Sequence, residues 1–191
     1  MPLRTLPESG MLIAVLSIVV GSVALDQITK AIVVANMSPG DSLPFLPGIL
    51  RLYYTQNPGA AFGSFSEHRW VFLVFSTIAM GVIIWLLVKH YRRHPLLAVS
   101  LAAVLGGGIG NLIDRTLNGS VVDFLDFQFV NFAVFNVADI FVTCGSIALA
   151  AYILFVEPRV EKRLKAEKEA QEPPCADTKE PSDDGNHSDQ G

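Results

Sequence analysis

The stretch Trp70–Val88 reads WVFLVFSTIAMGVIIWLLV, 19 residues without one charged side chain. A bilayer core of about 30 Å is crossed by roughly 20 helical residues, so this stretch is long enough to span a membrane. A helix buried inside a water-soluble protein is the alternative for a single run of this kind. The rest of the chain decides between the two interpretations.

Three further apolar runs have the same character. The run at 96–113 contains no charged residue, the run at 132–156 contains one, and the run at 11–35 contains two. Four such runs exceed what the core of one small soluble domain can bury. The sequence therefore predicts a membrane all-α fold of four transmembrane helices at about 11–35, 70–88, 96–113 and 132–156.

Charge is scarce along the chain and unevenly distributed. Charged residues make up 17% of the sequence, against roughly a quarter in average soluble domains. The net charge of −4 belongs to residues 157–191, which hold 6 Lys+Arg and 10 Asp+Glu. Since residues 1–156 are neutral and collect no positive face, a nucleic-acid partner is excluded. We divide the chain into a membrane domain at 1–157 and a charged, disordered tail at 158–191.

The distribution of Lys and Arg predicts the orientation in the membrane. Three basic residues lie between the second and third helices, and five lie at 159–168, directly after the fourth helix. The loops at 36–69 and 114–131 hold only three between them. Both termini are therefore predicted to be cytoplasmic and both loops to face outward. The first loop contains LRLYYT at 50–55, whose strand-forming residues predict a small antiparallel β element.

Two other readings concern the first helix and the cysteines. Ser22-Val23-Ala24 could be a signal-peptide cleavage site, but the apolar pattern continues well beyond it, which favours a retained helix. Cys144 lies in the fourth helix and Cys175 in the tail, so we predict neither a disulfide nor a cysteine metal site.

Polar residues within the apolar runs are the candidates for function, because ionisable groups at membrane depth are costly unless they are paired or functional. Asp26 and Lys30 share a helix face at i, i+4 spacing; a structural pair is favoured, with ligand contact as the alternative. The segment GGGIGN at 106–111 contains a GxxxG step typical of close helix packing. It leads to Asp114 and Arg115, which can simply pair with each other.

Two aspartates at the outer boundary suggest a specific chemistry. Asp123 lies among apolar neighbours, and Asp139 shares a helix face with Asn136. Two carboxyls sharing one proton can activate water and polarise a scissile carbonyl. A metal site that adds Asp114 and Asp126 is the alternative, but carboxylates without histidine disfavour transition-metal chemistry.

At this point the sequence closely resembles the bacterial lipoprotein signal peptidases (signal peptidase II). Five motifs occur in order: Asp26-Gln27-x-x-Lys30, Asn57-x-Gly59-Ala60-Ala61-Phe62, Gly107-Gly108-x-Gly110-Asn111-x-x-Asp114-Arg115, Val122-Asp123-Phe124 and Phe135-Asn136-x-Ala138-Asp139. The resemblance covers about residues 10–156. The acidic tail is longer than the family core requires.

The resemblance implies an aspartyl endopeptidase of the bacterial cytoplasmic membrane with its active site at the outer face. Its substrates would be diacylglyceryl prolipoproteins, cut just before the lipidated cysteine, and peptide inhibitors such as globomycin would block it. We expect a monomer without cofactor or metal. The implied roles are catalysis for Asp123 and Asp139; substrate binding for Asn57, Asn111, Arg115 and Asn136; structural support for Asp26, Lys30, Gly108 and Asp114.

The residues by themselves leave two rival functions open. An ion-coupled transporter would use membrane acids as proton relays, and it would spread them through the bilayer rather than cluster them at one face. A non-enzymatic scaffold would keep its function when Asp123 and Asp139 are replaced by asparagine.

Overall fold

A computed structural model describes residues 8–59 and 69–171 of the chain. Its elements are helix α1 (Glu8–Asn36), strands β1 (Ser42–Leu46) and β2 (Leu50–Asn57), helices α2 (Arg69–His90) and α3 (Pro95–Leu117), strand β3 (Val121–Phe127), helix α4 (Val137–Ala151), a π-helical turn (Tyr152–Val156) and helix α5 (Glu157–Gln171). Residues 60–62 of the Asn57 motif, Cys175 and the tail at 172–191 lie outside the described residues.

Four helices in the described ranges are long and apolar enough to cross a membrane: Ser9–Asn36, Leu73–His90, Pro95–Leu117 and Val137–Glu167. Many of their large apolar side chains are exposed. Val20, Phe75 and Val88, for example, are 65–71% exposed. Such a surface is unfavourable in water and suits contact with lipid chains. The predicted membrane all-α fold is confirmed, and the orientation of the termini stays a prediction.

Helix α3 is the centre of the bundle and packs against α1, α2 and α4. Its three consecutive glycines each meet a different helix, because successive residues point about 100° apart. An added Cβ at Gly106 would meet Ser22 of α1, one at Gly107 would meet the Ala138 carbonyl of α4, and one at Gly108 would meet Met80 of α2. The glycine run therefore allows three helices to approach α3 closely.

The three strands form one antiparallel sheet in the order β1-β2-β3. The predicted β element in the first loop is present as β1 and β2, and β3 from the second outward loop completes the sheet. The register places Thr55 opposite Asp123 and Asn57 opposite Val121. The sheet thus brings Asn57 beside Asp123, although the two are far apart in sequence.

Two predicted helix boundaries need correction. The fourth helix begins at Val137, not at 132, because Phe135 pairs with Leu125 of β3: the Phe135 N–H donates to the Leu125 carbonyl at 3.0 Å and the reverse bond is 2.8 Å. The third helix continues to Leu117, so Asp114 and Arg115 lie in its last turn rather than in the loop.

The start of the tail also differs from the prediction. Residues 158–171, expected to be disordered, belong to helix α5. This segment, EPRVEKRLKAEKEAQ from residue 157, is rich in Glu, Lys and Ala, which are strong helix formers, and it directly continues the fourth helix. Helix propagation from an existing helix avoids the cost of nucleation.

Gly107 provides a test of the packing around α3. A Cβ there would press on the backbone carbonyl of Ala138, and Val142 Cγ2 lies 2.9 Å away. We expect Gly107→Ala to lower the free energy of unfolding by about 1–3 kcal/mol through overpacking, measured as a lower Tm in detergent. Gly81→Ala is the matched control, since nothing lies within 4 Å of its added Cβ. Equal Tm values for the two variants would contradict the close approach of α3 and α4.

Candidate active site

Asp123 and Asp139 are joined through one residue, Asn136. The Asn136 side-chain amide donates to Asp123 Oδ1 at 2.7 Å, and its backbone N–H donates to Asp139 Oδ2 at 3.2 Å. The two carboxyls come from different elements, β3 and α4, which meet where the helix begins. The structure therefore brings the two predicted catalytic aspartates together.

Asn136 is fixed because it is the N-cap of α4. Its Oδ1 accepts the backbone N–H of Asp139 at 3.0 Å, and the Asp139 carboxylate accepts the Asn136 N–H, which completes a capping box. A backbone N–H can only donate, so Oδ1 has to face it. The opposite end of the amide, Nδ2, is thereby directed to Asp123.

Asp123 is a buried carboxyl with two amide donors. Its side chain accepts from Asn57 Nδ2 at 3.0 Å as well as from Asn136, and the residue is 2% exposed. Burial raises the pKa of Asp123 from its ordinary value of 3.8 to about 6. The hydrogen bond from Asn57 opposes that rise in pKa, and the nearby charge of Asp139 adds to it. Asp123 can thus hold a proton at a pH where an exposed aspartate cannot.

Asp139 also accepts on both oxygens. Asn111 Nδ2 of α3 donates to Asp139 Oδ1 at 2.8 Å, and the Asn136 N–H serves Oδ2. All four oxygens of the Asp123–Asp139 pair therefore have an amide donor. Donors from β2, α3 and the start of α4 hold the pair from three directions.

A buried cluster of charges lies directly behind this pair. Lys30 contacts Asp26 Oδ2 and Asp114 Oδ2, each at 2.8 Å, and its Nζ donates to Asn111 Oδ1 at 2.9 Å. Asp26 Oδ1 accepts the Ala138 N–H at 2.9 Å, in the first turn of α4 where a helix favours negative charge. The cluster ties α1, α3 and α4 together, and its supporting role stays a prediction.

The aspartate pair opens into a cavity of about 530 Å³. Its lining residues are Asn57, Asp123, Phe127, Phe132, Ala133, Val134, Phe135, Asp139, Ile140, Thr143 and Cys144. The polar groups stand among aromatic and aliphatic side chains, an arrangement typical of ligand sites. The cavity also follows the exposed side of α4, since Ile140 is 42% exposed.

The other predicted residues differ in where they lie. Asn111 and Asn136 contact the carboxyls from behind the cavity lining, while Gly108 packs against α2. Arg115 lies in the last turn of α3 and is absent from the cavity lining; its Nε is buried without a hydrogen-bond partner in the described ranges. Its substrate-binding role stays a prediction.

The carboxylates of the alternative metal site are engaged elsewhere. Asp126 Oδ2 accepts from Arg51 Nε at 2.6 Å, and Asp114 pairs with Lys30. Each of these two acids is paired with its own cation, which gives no support to a site built from four carboxylates.

Gln27 lies within the Asp26–Lys30 motif, but no role was predicted for it. Its Nε2 donates to Asp114 Oδ1 at 3.0 Å and to the Gly110 carbonyl at 3.2 Å. Ile140 and Thr143 on the cavity wall were also not among the predicted site residues. Thr143 lies four residues after Asp139 on the same helix face, and that spacing was the available signal. Ile140 points about 100° away around the helix and carried no such signal.

Comparisons with known proteins identify a family and a similar solved structure. The family profile described as Signal peptidase (SPase) II matches residues 18–155. The lipoprotein signal peptidase of Shouchella clausii is 44% identical over 141 residues, covering 74% of this chain and 92% of that protein. That of Symbiobacterium thermophilum is 43% identical over 152 residues, covering 77% and 97%. A bacterial membrane enzyme solved in meso at 1.9 Å resolution has a TM-score of 0.71 and 32% identity, covering 74% and 93%.

The titration of Asp123 tests this description of the site. We expect its carboxyl, followed by 13C NMR of labelled aspartate, to titrate near pH 6. Asn57→Leu should raise that pKa further, because it removes a hydrogen bond that favours the carboxylate. Asn118→Leu, at an exposed asparagine after α3, is the control and should leave the titration unchanged. A pKa near 4 in the wild type would contradict the burial of Asp123.

Proposed function

Because this chain belongs to the signal peptidase II family, whose members are lipoprotein signal peptidases, we propose that it is an aspartyl endopeptidase acting on diacylglyceryl prolipoproteins. Membership of the family makes it a multi-pass bacterial membrane protease that removes signal peptides from prolipoproteins. The finer proposal is that Asp123 and Asp139 cleave the bond before the lipidated cysteine. Its main support is the position of both carboxyls in one cavity, joined by Asn136.

The chemistry follows from a carboxyl pair that shares one proton. The ionised carboxyl removes a proton from water, and the water oxygen attacks the scissile carbonyl carbon. The protonated carboxyl donates to the carbonyl oxygen, which becomes a hydroxyl of the tetrahedral intermediate. Collapse of the intermediate breaks the C–N bond, and a proton passes to the leaving amine of the cysteine. The raised pKa of Asp123, about 6, supports a singly protonated pair at about pH 6.

The surroundings of the pair suit a substrate anchored in lipid. The acyl chains of a diacylglyceryl cysteine stay in the bilayer, so the scissile bond is held near the membrane surface. The cavity reaches from Asp139 along α4 past Ile140 to Thr143. Acyl chains lying along this side would deliver the bond to the carboxyls with little loss of positioning entropy.

The remaining predicted residues divide into two groups within this proposal. Asn57 lines the cavity and can hold the peptide backbone. Arg115 lies outside the cavity lining, and its part in holding the substrate is proposed from the family resemblance alone. Asn111 and Asn136 orient the carboxyls and complete the polar site. Peptide inhibitors such as globomycin would occupy the same cavity and exclude the substrate.

The location of the site is also part of the proposal. Asp123 and Asp139 lie at the end of the bundle opposite to α5, which carries the exposed basic residues Arg159, Lys162 and Arg163. Since positive charge is retained on the cytoplasmic side, the cavity would face outward at the surface of the cytoplasmic membrane.

Cleavage by matched aspartate variants tests the catalytic proposal. The wild type should cleave a diacylglyceryl prolipoprotein and leave its unlipidated form intact. Asp123→Asn and Asp139→Asn should each reduce kcat by at least about 10³-fold, because neither variant keeps a proton-sharing pair. Asp41→Asn is the control, since Asp41 is an exposed carboxylate on the same side of the bundle. Cleavage retained in both the Asp123→Asn and the Asp139→Asn variants would exclude the aspartyl mechanism.

Cysteine labelling in intact cells tests the orientation. In a Cys144→Ser, Cys175→Ser background, Asn118→Cys should react with a membrane-impermeant maleimide and Lys165→Cys should not. Both positions are exposed, so both should react after the membrane is permeabilised. The reverse pattern in intact cells would show that the cavity faces the cytoplasm.

A further inference from the structure

The Lys30 ammonium has three protons and three acceptors. Asp26 Oδ2 and Asp114 Oδ2 lie 2.8 Å away and Asn111 Oδ1 lies 2.9 Å away, while 4% of the lysine side chain is exposed. The two carboxylates neutralise the buried charge. The third acceptor is a neutral amide, so charge neutralisation does not account for it.

That third contact determines which way round the Asn111 amide lies. As found, its Oδ1 accepts from Lys30 and its Nδ2 donates to Asp139 Oδ1 at 2.8 Å. Rotation of the amide by 180° would place N–H groups against the ammonium and an oxygen against the carboxylate. Both contacts would then be repulsive. An ammonium has no lone pair to accept a hydrogen bond, and an ionised carboxylate has no proton to donate to an amide oxygen.

Asn136 cannot replace Lys30 in this role. Its Nδ2 also lies 3.0 Å from Asn111 Oδ1, but its two N–H groups face three oxygens. The shortest of these contacts is to Asp123 Oδ1 at 2.7 Å, and the third is to the Val122 carbonyl at 3.3 Å. Asn136 is therefore shared among acceptors, whereas Lys30 has one proton for each.

We propose that Lys30 is a positioning residue for the hydrolysis: by fixing the Asn111 amide, it keeps an N–H donor on Asp139 and holds that carboxylate in place. The inference rests on the proposed function. It separates two tasks of one side chain, since neutralising Asp26 and Asp114 stabilises the fold, whereas orienting Asn111 serves the reaction. The charge of Lys30 also lowers the pKa of Asp123, against the larger effect of burial.

A double-mutant cycle separates the two tasks. We would measure kcat and KM on a diacylglyceryl prolipoprotein for the wild type, Lys30→Met, Asn111→Ala and the double variant. Lys30→Met should lower kcat by about 10–100-fold and change KM by less than about threefold. In the Asn111→Ala background the same substitution should lower kcat by less than about threefold, because the amide through which it acts is gone. Lys89→Met, at an exposed lysine of α2, is the control.

Two results would overturn the inference. An equal fall in kcat in both backgrounds would show that Lys30 acts independently of Asn111, and a rise in KM with unchanged kcat would show a binding role. If Lys30→Met fails to fold, the cycle is made in an Asp114→Asn background, where removing the lysine leaves the charge of the cluster at its wild-type value of about −1. A wild type that does not cleave would refute the proposed function; an additive cycle in a cleaving enzyme refutes only the role of Lys30.

Discussion

The structure depends on a buried cluster of charges, Asp26, Lys30 and Asp114, which cannot be pulled apart at membrane depth without leaving charges unpaired. The Asp26 carboxylate of α1 accepts from Lys30 on its own helix and from the Ala138 N–H of α4, while Lys30 also contacts Asp114 of α3. Removing Lys30 would leave two buried carboxylates without their cation, and breaking a buried ion pair in this way costs about 3–5 kcal/mol. Three helices are therefore held in one arrangement by the same constraint that surrounds the carboxyl pair.

The glycines of α3 make that arrangement geometrically possible. The buried acids and amides can reach each other only if α1 and α4 lie almost in contact with α3. At Gly110, an added Cβ would lie 2.5 Å from Asp26 Oδ2, inside the cluster itself. In a membrane, where lipid chains are as apolar as leucine, close packing and polar contacts replace the hydrophobic effect as the forces between helices. The small residues of α3 thus permit the close approach of the helices, and the polar cluster holds them there.

Much of the fold could be predicted because the thickness of the bilayer fixes the length of a spanning helix, so that long apolar runs identify the helices directly. The order of the motifs then indicated the aspartate pair. Strand β3 was not predicted, because its partner strand lies about 70 residues earlier and the local pattern contains no information on such pairing. Residues 132–136 were predicted to be helical because that segment is apolar. Asn136 three residues before Asp139 was the capping signal that would have corrected the boundary.

Asn136 shows why fold and chemistry are inseparable at this site. Its Oδ1 caps α4 and its Nδ2 holds Asp123, so the first turn of the helix and the position of one carboxyl are fixed by the same planar amide. Asp139 completes the capping box and is also the other carboxyl of the pair. A well-formed α4 N-terminus therefore implies an assembled pair, and loss of activity on substituting Asn136 has two causes that cannot be told apart. Asn111 and Asn57 contact the carboxyls without capping a helix, and their variants report on the chemistry more directly.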